Sequence, residues 1–149
     1  MKTVHASIVI NAPKEKVWKA MLEDKTYREW TTAFHAGSHF VGSWDQGSEI
    51  RFLGPNEDGT MGGMVGRIKE NRPYEFVSIE YVGEIMNGKV DTTSEHAKAW
   101  IGGHENYAFA EKDGKTEVVV DTDTTEEMVN IFEDMWPQAL KKLKEVAER

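Results

Sequence analysis

Histidines are the first candidates for chemistry in this sequence, because imidazole is the commonest metal ligand among protein side chains. Of the five, His35 and His39 stand four residues apart, the spacing at which one helix presents two ligands to one ion. Gly37 lies between them and favours a loop or the start of a strand, and no Glu-x-x-His pattern accompanies the pair. We therefore predict no metal site, and we expect the histidines at the surface or at the edge of a cavity.

A group of four glycines could cradle a phosphate. Gly59, Gly62, Gly63 and Gly66 lie close together, but no Lys-Ser or Lys-Thr pair follows them and no helix pattern begins there. Phosphate-binding glycine loops require a strand that leads into a helix. These glycines stand within a strand pattern, where glycine marks a bulge or a sharp bend. We predict a bend in a curved sheet and no nucleotide cofactor.

Nucleophilic catalysis has little support in the residue types. The chain has no cysteine, and no serine stands in a Gly-x-Ser-x-Gly elbow. Ser94, Glu95 and His96 are adjacent in sequence, whereas the members of a catalytic triad converge in space from separate segments. We predict no catalytic residue of this kind.

Glu105 is the best candidate for general acid–base chemistry. It alternates with Tyr107 and Phe109 along a predicted strand, so the three side chains share one face. If that face is buried, the carboxyl group has a raised pKa and can exchange a proton near neutral pH. Arg51 alternates with Phe52, so we expect its guanidinium group on the outer face.

Large aromatic and methionine side chains form the most informative set, because they come from segments that a single fold would bring together. Each such side chain stabilises the fold by about 1.5–3 kcal/mol when it is buried, so a plain hydrophobic core is one interpretation. The wall of a ligand cavity is the other. The predicted ligand-binding residues are Trp30, Phe52, Met64, Tyr81, Trp100, Tyr107, Phe132 and Trp136.

Composition narrows the classes of partner. The chain of 149 residues fits one domain, residues 1–149, and carries a formal net charge of -8. Such a charge repels phosphate backbones and anionic lipid surfaces, so neither a nucleic acid nor a membrane is expected as a partner. Without cysteines there are no disulfides, and no signal peptide or long apolar run is apparent. We expect a cytoplasmic protein.

The hydrophobic periodicity predicts a strand, two helices, a group of strands and a final helix. A strand at 3–10 is stopped by Asn-Ala-Pro, and helical spacing follows up to Trp30. Strands are predicted around 37–43, 48–53, 61–70, 74–82, 105–111 and 116–121, and residues 84–103 have no clean period. Consecutive strands with helices at both ends indicate an α+β fold with an antiparallel sheet of six or seven strands.

The final helix is predicted over residues 125–147. Thr124 and Glu127 match a capping box, and a wide apolar stripe runs from Met128 to Leu143. Pro137 lacks an N–H group and crowds the carbonyl of Glu133, so we expect a bend there. One helix cannot cover such a sheet if the sheet is flat. We therefore predict a curved sheet around the helix, with a cavity of roughly a few hundred Å³ between them.

Four segments resemble the START and birch-pollen-allergen-like superfamily, also called SRPBCC, and within it the activators of heat-shock-protein-90 ATPase. They are IVINAPKEKVW at 8–18, YREWT at 27–31, GHENYAF at 103–109 and WPQAL at 136–140. The resemblance covers essentially the whole chain and implies the helix-grip fold, in which a curved sheet surrounds a long C-terminal helix. Members of the superfamily bind lipids, hormones or polyketides, and some are cyclases.

Three functional hypotheses follow, because a fold does not determine a function. The first is a non-catalytic protein that binds a small hydrophobic molecule and needs no cofactor. The second is a cyclase-like or hydrolase-like enzyme that uses the same cavity. The third is a chaperone-related module with a protein partner.

Overall fold

An antiparallel sheet of eight strands dominates the computed structural model, which describes all residues from Met1 to Arg149. Its strands follow the order β1-β8-β7-β5-β4-β3-β2, and β6 pairs with β5 beside this path. The elements are β1 (Lys2–Ile10), α1 (Lys14–Leu22), α2 (Asp24–Trp30), a 3-10 turn (Thr31–Ala33), β2 (His39–Gly42), β3 (Glu49–Pro55), β4 (Met61–Arg72), β5 (Phe76–Met86), β6 (Lys89–Asp91), α3 (Glu95–Lys98), β7 (His104–Lys112), β8 (Lys115–Thr124) and α4 (Val129–Glu148).

The predicted fold class is confirmed: an α+β helix-grip fold, with two short N-terminal helices and a long C-terminal one. Seven strands were expected at most, and the eighth is β6, within the stretch predicted to be irregular. The short helix α3 lies in the same stretch, and the Ser94 hydroxyl caps it by accepting the N–H of Ala97 at 3.1 Å. Elements of three and four residues are too short to produce a periodic pattern. None of the helices combines the length and the apolar composition of a membrane span.

A hairpin turn and a bend in the sheet both fall at glycine residues. Asp113 and Gly114 join β7 to β8, and both have positive φ angles (55° and 77°), as a tight two-residue hairpin turn requires. In the glycine group, the pairing of β4 with β5 shifts register between Val65 and Gly66. This irregularity is the predicted bulge, and bulges of this kind bend a sheet.

The final helix α4 begins four residues later than predicted. Thr124 belongs to β8, and its buried hydroxyl group has no hydrogen-bond partner, so the predicted capping box is wrong. The helix then continues without a break through Pro137. The bend at that residue stays a prediction.

Burial along α4 is uneven. Its buried side chains all lie between Trp136 and Ala147, in the second part of the helix. In the first part Phe132 is only half-buried and Ile131 is exposed. The second part packs into a core of 22 buried residues together with α1, α2 and the inner face of the sheet. The first part leaves open space above the sheet.

We predict that Gly63 is needed for the close pairing of β3 and β4. Its φ angle is +151°, and a Cβ atom there would lie 1.7 Å from the carbonyl oxygen of Phe52. Gly63→Ala should therefore destabilise the protein by about 3 kcal/mol or more, since backbone strain and steric overlap add. Urea unfolding measures this cost.

Gly59→Ala is the matched control. Gly59 also has a positive φ angle (+85°), but a Cβ atom at this position would meet no other atom within 4 Å beyond its chain neighbours. That variant should lose only about 1 kcal/mol. Equal costs for the two substitutions would show that the close approach of β3 to β4 is not what requires glycine.

Candidate ligand-binding cavity

A cavity of about 1210 Å³ separates the inner face of the sheet from the first part of α4. It is larger than predicted, because the first part of α4 does not pack on the sheet. All eight residues predicted to bind a ligand line this single cavity. They are Trp30, Phe52, Met64, Tyr81, Trp100, Tyr107, Phe132 and Trp136.

Aromatic rings form much of the wall and pack edge to face or tilted against one another. Trp136 of α4 contacts Phe34, Trp30 and Tyr107, at centroid distances of 4.8, 6.0 and 6.0 Å. Trp30, Tyr107 and Trp136 are almost fully buried, so they belong to the core as well as to the wall. Their role in binding a ligand stays a prediction.

Trp100 connects the segment that follows α3 to the cavity. Its ring packs edge to face against Tyr81 at 6.1 Å and Phe132 at 6.4 Å. This contact places the segment between α3 and β7 against the cavity wall.

Glu105 projects from β7 into the cavity together with Tyr107, as the strand alternation predicts. The hydroxyl of Tyr81 donates a hydrogen bond to Oε1 of Glu105 at 2.5 Å, and the hydroxyl of Tyr107 donates to Oε2. The Tyr81 hydroxyl also lies 3.5 Å from Oγ1 of Thr122, which pairs with Glu105 across β7 and β8. We call Glu105, Tyr81 and Tyr107 the carboxylate cluster.

Burial determines how this cluster titrates. Desolvation raises the pKa of Glu105, and the two tyrosine hydrogen bonds offset part of the increase. Desolvation and then the charge of Glu105 hold the pKa values of Tyr81 and Tyr107 well above the ordinary range. The tyrosines therefore remain hydrogen-bond donors, and Glu105 is the member of the cluster that exchanges a proton.

Tyr27 is a cavity residue that the sequence prediction missed. It lies on α2, three residues before Trp30, and its side chain is buried against the rings of Trp30 and Phe40. Burial first, and then the charge of Glu105, raises its pKa. Its hydroxyl takes no part in the two hydrogen bonds on Glu105. The signal that could have found it was its helical spacing from Trp30.

Comparison with known proteins identifies the family. The family model "Activator of Hsp90 ATPase homolog 1-like protein" matches residues 11–148. The chain belongs to this family. No curated protein matches its sequence significantly.

Solved structures of similar fold superpose on nearly the whole length of this family member. Protein MLL2253 from Mesorhizobium loti superposes with a TM-score of 0.72 at 14% identity, over 97% of this chain and 96% of its own. The Aha1 dimer from Colwellia psychrerythraea superposes with a TM-score of 0.70 at 20% identity, over 99% of this chain and 97% of its own. ChR145 from Cytophaga hutchinsonii superposes with a TM-score of 0.70 at 21% identity, over 97% of this chain and 92% of its own. At these identities the likeness shows a shared fold.

A second carboxylate lies at the rim of the cavity in this family member. Glu84 at the end of β5 is 6% exposed, and both of its oxygens lie 2.8 Å from Nδ1 of His96 on α3. His96 and His35 line the cavity edge, as expected for the histidines. Arg51 does not line it and pairs instead with Glu49 at 3.2 Å.

We predict that Glu105 makes the stability of the protein fall as the pH rises. Its pKa is higher in the folded state than the value of about 4.3 expected in the unfolded chain, so the folded state binds the proton more tightly. The contribution is present below that value and is lost as the pH rises through the raised pKa. Glu105→Gln should remove this loss and melt at a higher temperature than the native protein at neutral pH.

The melting temperatures of both proteins, measured by circular dichroism from acid to neutral pH, test this sign. The advantage of Glu105→Gln should shrink as the pH falls. Glu127→Gln, at an exposed residue of the cavity rim, is the control for loss of one charge. A native protein that gains stability over Glu105→Gln as the pH rises would contradict the prediction.

Proposed function

We propose that this family member binds a small hydrophobic molecule in the cavity between the sheet and α4, without a cofactor. The observation that carries the proposal is the convergence of eight residues from seven helices, strands and loops on one cavity of about 1210 Å³. Natural ligand pockets are concave and mostly apolar, and they use a few polar groups to orient the ligand. The aromatic wall and the carboxylate cluster supply these two features.

An enzyme that uses the same cavity is the second candidate, and Glu105 is the observation that favours it. A carboxylate with a raised pKa in an apolar cavity can act as a general base. The carboxylate cluster offers one proton acceptor, since both tyrosines stay protonated. Native mass spectrometry of the purified protein, followed by extraction, would identify a retained molecule. Its return unchanged after prolonged incubation would favour binding over catalysis.

A protein partner has weaker support. Among the exposed large apolar side chains, Val9, Val41 and Ile131 lie apart on β1, β2 and α4. Met61, Met86 and Val90 lie near one another where β4, β5 and β6 meet, which is a small patch for a docking surface. The Colwellia relative is a dimer, and a second copy of this chain is therefore the protein partner to test first. We retain the cytoplasm as the expected location.

We predict that Phe52→Trp weakens ligand binding and spares the fold. Phe52 of β3 is half-buried on the cavity wall, so the larger indole ring would occupy ligand space. The affinity for N-phenyl-1-naphthylamine, a neutral apolar probe whose fluorescence rises on binding, should fall about tenfold, which corresponds to about 1.4 kcal/mol. The melting temperature should change by only a few degrees.

Phe76→Trp is the matched control, because Phe76 begins β5 outside the cavity and packs under Arg72 at 5.0 Å. It should leave probe affinity unchanged. If neither this probe nor a panel of sterols, flavonoids and fatty acids changes the fluorescence or the melting temperature, the proposal loses its basis. Equal weakening by both variants would place the binding site elsewhere.

A further inference from the structure

The side chains that line the cavity include many acidic groups and no lysine or arginine. Seven aspartates and glutamates line it, together with two histidines, and none of its lining residues is lysine or arginine. A cavity lined by seven acidic side chains and by no lysine or arginine attracts cations and repels anions, and its low-dielectric walls strengthen both effects. The chain has 18 lysines and arginines, so their exclusion from the cavity is not a consequence of scarcity.

At the rim, part of this charge is already compensated. Glu84 is paired with His96, and Glu126 lies 3.7 Å from Nζ of Lys2. Asp123 accepts hydrogen bonds from the Thr3 hydroxyl at 2.7 Å and from the backbone N–H of His104 at 2.8 Å. Contacts within the protein therefore satisfy Glu84, Glu126 and Asp123.

Glu105 projects from the sheet into the cavity and has no cationic partner. Its two hydrogen bonds come from the neutral hydroxyls of Tyr81 and Tyr107, and no lysine, arginine or histidine pairs with it. A desolvated carboxylate without a counter-ion is costly to keep in a folded protein. A positively charged ligand group would remove most of that cost.

The surroundings of Glu105 are also suited to a cation. Each tyrosine of the carboxylate cluster packs edge to face against a tryptophan, Tyr107 against Trp136 at 6.0 Å and Tyr81 against Trp100 at 6.1 Å. Ring faces attract ammonium groups by cation–π interaction, and tryptophan does so most strongly. We call the rings of Tyr81, Tyr107, Trp100 and Trp136 the aromatic chamber. An amine could therefore bind there in two ways, by ion pairing with Glu105 and by cation–π contact with these rings.

We infer that the ligand is a cationic amphiphile, an apolar molecule carrying a protonated amine that pairs with Glu105 inside the aromatic chamber. This inference rests on the proposed function and narrows it to one class of ligand. It excludes fatty acids and other anionic lipids, whose carboxylate would face Glu105. The apolar body of the molecule lies along Phe52, Met64 and Phe132, and its ammonium group points to the sheet.

Three probes with one ring system test the inference: 1-naphthylmethylamine, 1-naphthylmethanol and 1-naphthoate. At neutral pH they are cationic, neutral and anionic. Isothermal titration of the native protein should show the ammonium binding about tenfold or more tightly than the alcohol, with the naphthoate weakest. This comparison needs no variant, so it does not depend on how well a substituted protein folds.

Two variants test whether Glu105 is the residue that makes the ammonium probe bind more tightly than the alcohol. Glu105→Gln keeps the size of the side chain and should lower the ammonium affinity about tenfold, while the alcohol affinity stays within about threefold. Glu133→Gln removes the same charge at an exposed residue of α4 outside the cavity lining and should change neither affinity by more than about threefold. A loss in Glu133→Gln equal to that in Glu105→Gln would overturn the pairing with Glu105.

The outcomes separate the inference from the proposed function. If the alcohol binds and the ammonium binds no more tightly, the inference is wrong and the hydrophobic-binding proposal stands. If the naphthoate binds most tightly, the inference is likewise overturned. If none of the three binds, the proposed function fails and the inference fails with it.

Discussion

The limited reach of α4 over the sheet is the constraint on which the rest of this structure depends. Eight strands form a concave surface, and a helix of 20 residues can pack closely on only part of it. The burial of α4 from Trp136 onward fixes its second part in the core, close to β1 and the two N-terminal helices. The uncovered part of the sheet becomes the floor of the cavity, so the same packing that stabilises the fold also leaves space for a ligand.

The carboxylate cluster shows how that space differs from an unfilled core. A cavity lined only by apolar groups lowers stability and offers no orientation to a ligand. Glu105 adds a second cost, because burial raises its pKa and no basic residue compensates it. Two tyrosine hydroxyls hold the carboxylate in place without neutralising it. A stability cost of this kind is typical of sites where function requires a group that folding alone would not favour.

Much of the fold was predictable, because its long elements have strong periodic signals. The alternation of Glu105 with Tyr107 correctly predicted that the two side chains share a face, which is the cavity face, and the convergence of the aromatic residues followed from the resemblance to a known superfamily. Short elements such as β6 and α3 were missed, since a few residues carry no period. Tyr27 was missed although its helical spacing from Trp30 was visible in the sequence. The Glu84–His96 pair was missed because His96 lies on the short helix α3, within the stretch that has no clean period.

Indole N–H resonances offer the most direct test of the central claim that the space under the first part of α4 receives a ligand. Trp100 and Trp136 line this cavity, whereas Trp18 packs on Phe109 at 5.1 Å outside it. In a titration with N-phenyl-1-naphthylamine followed by two-dimensional NMR, the resonances of Trp100 and Trp136 should shift together while that of Trp18 stays fixed. A shift of Trp18 with no change at Trp100 and Trp136 would contradict this account.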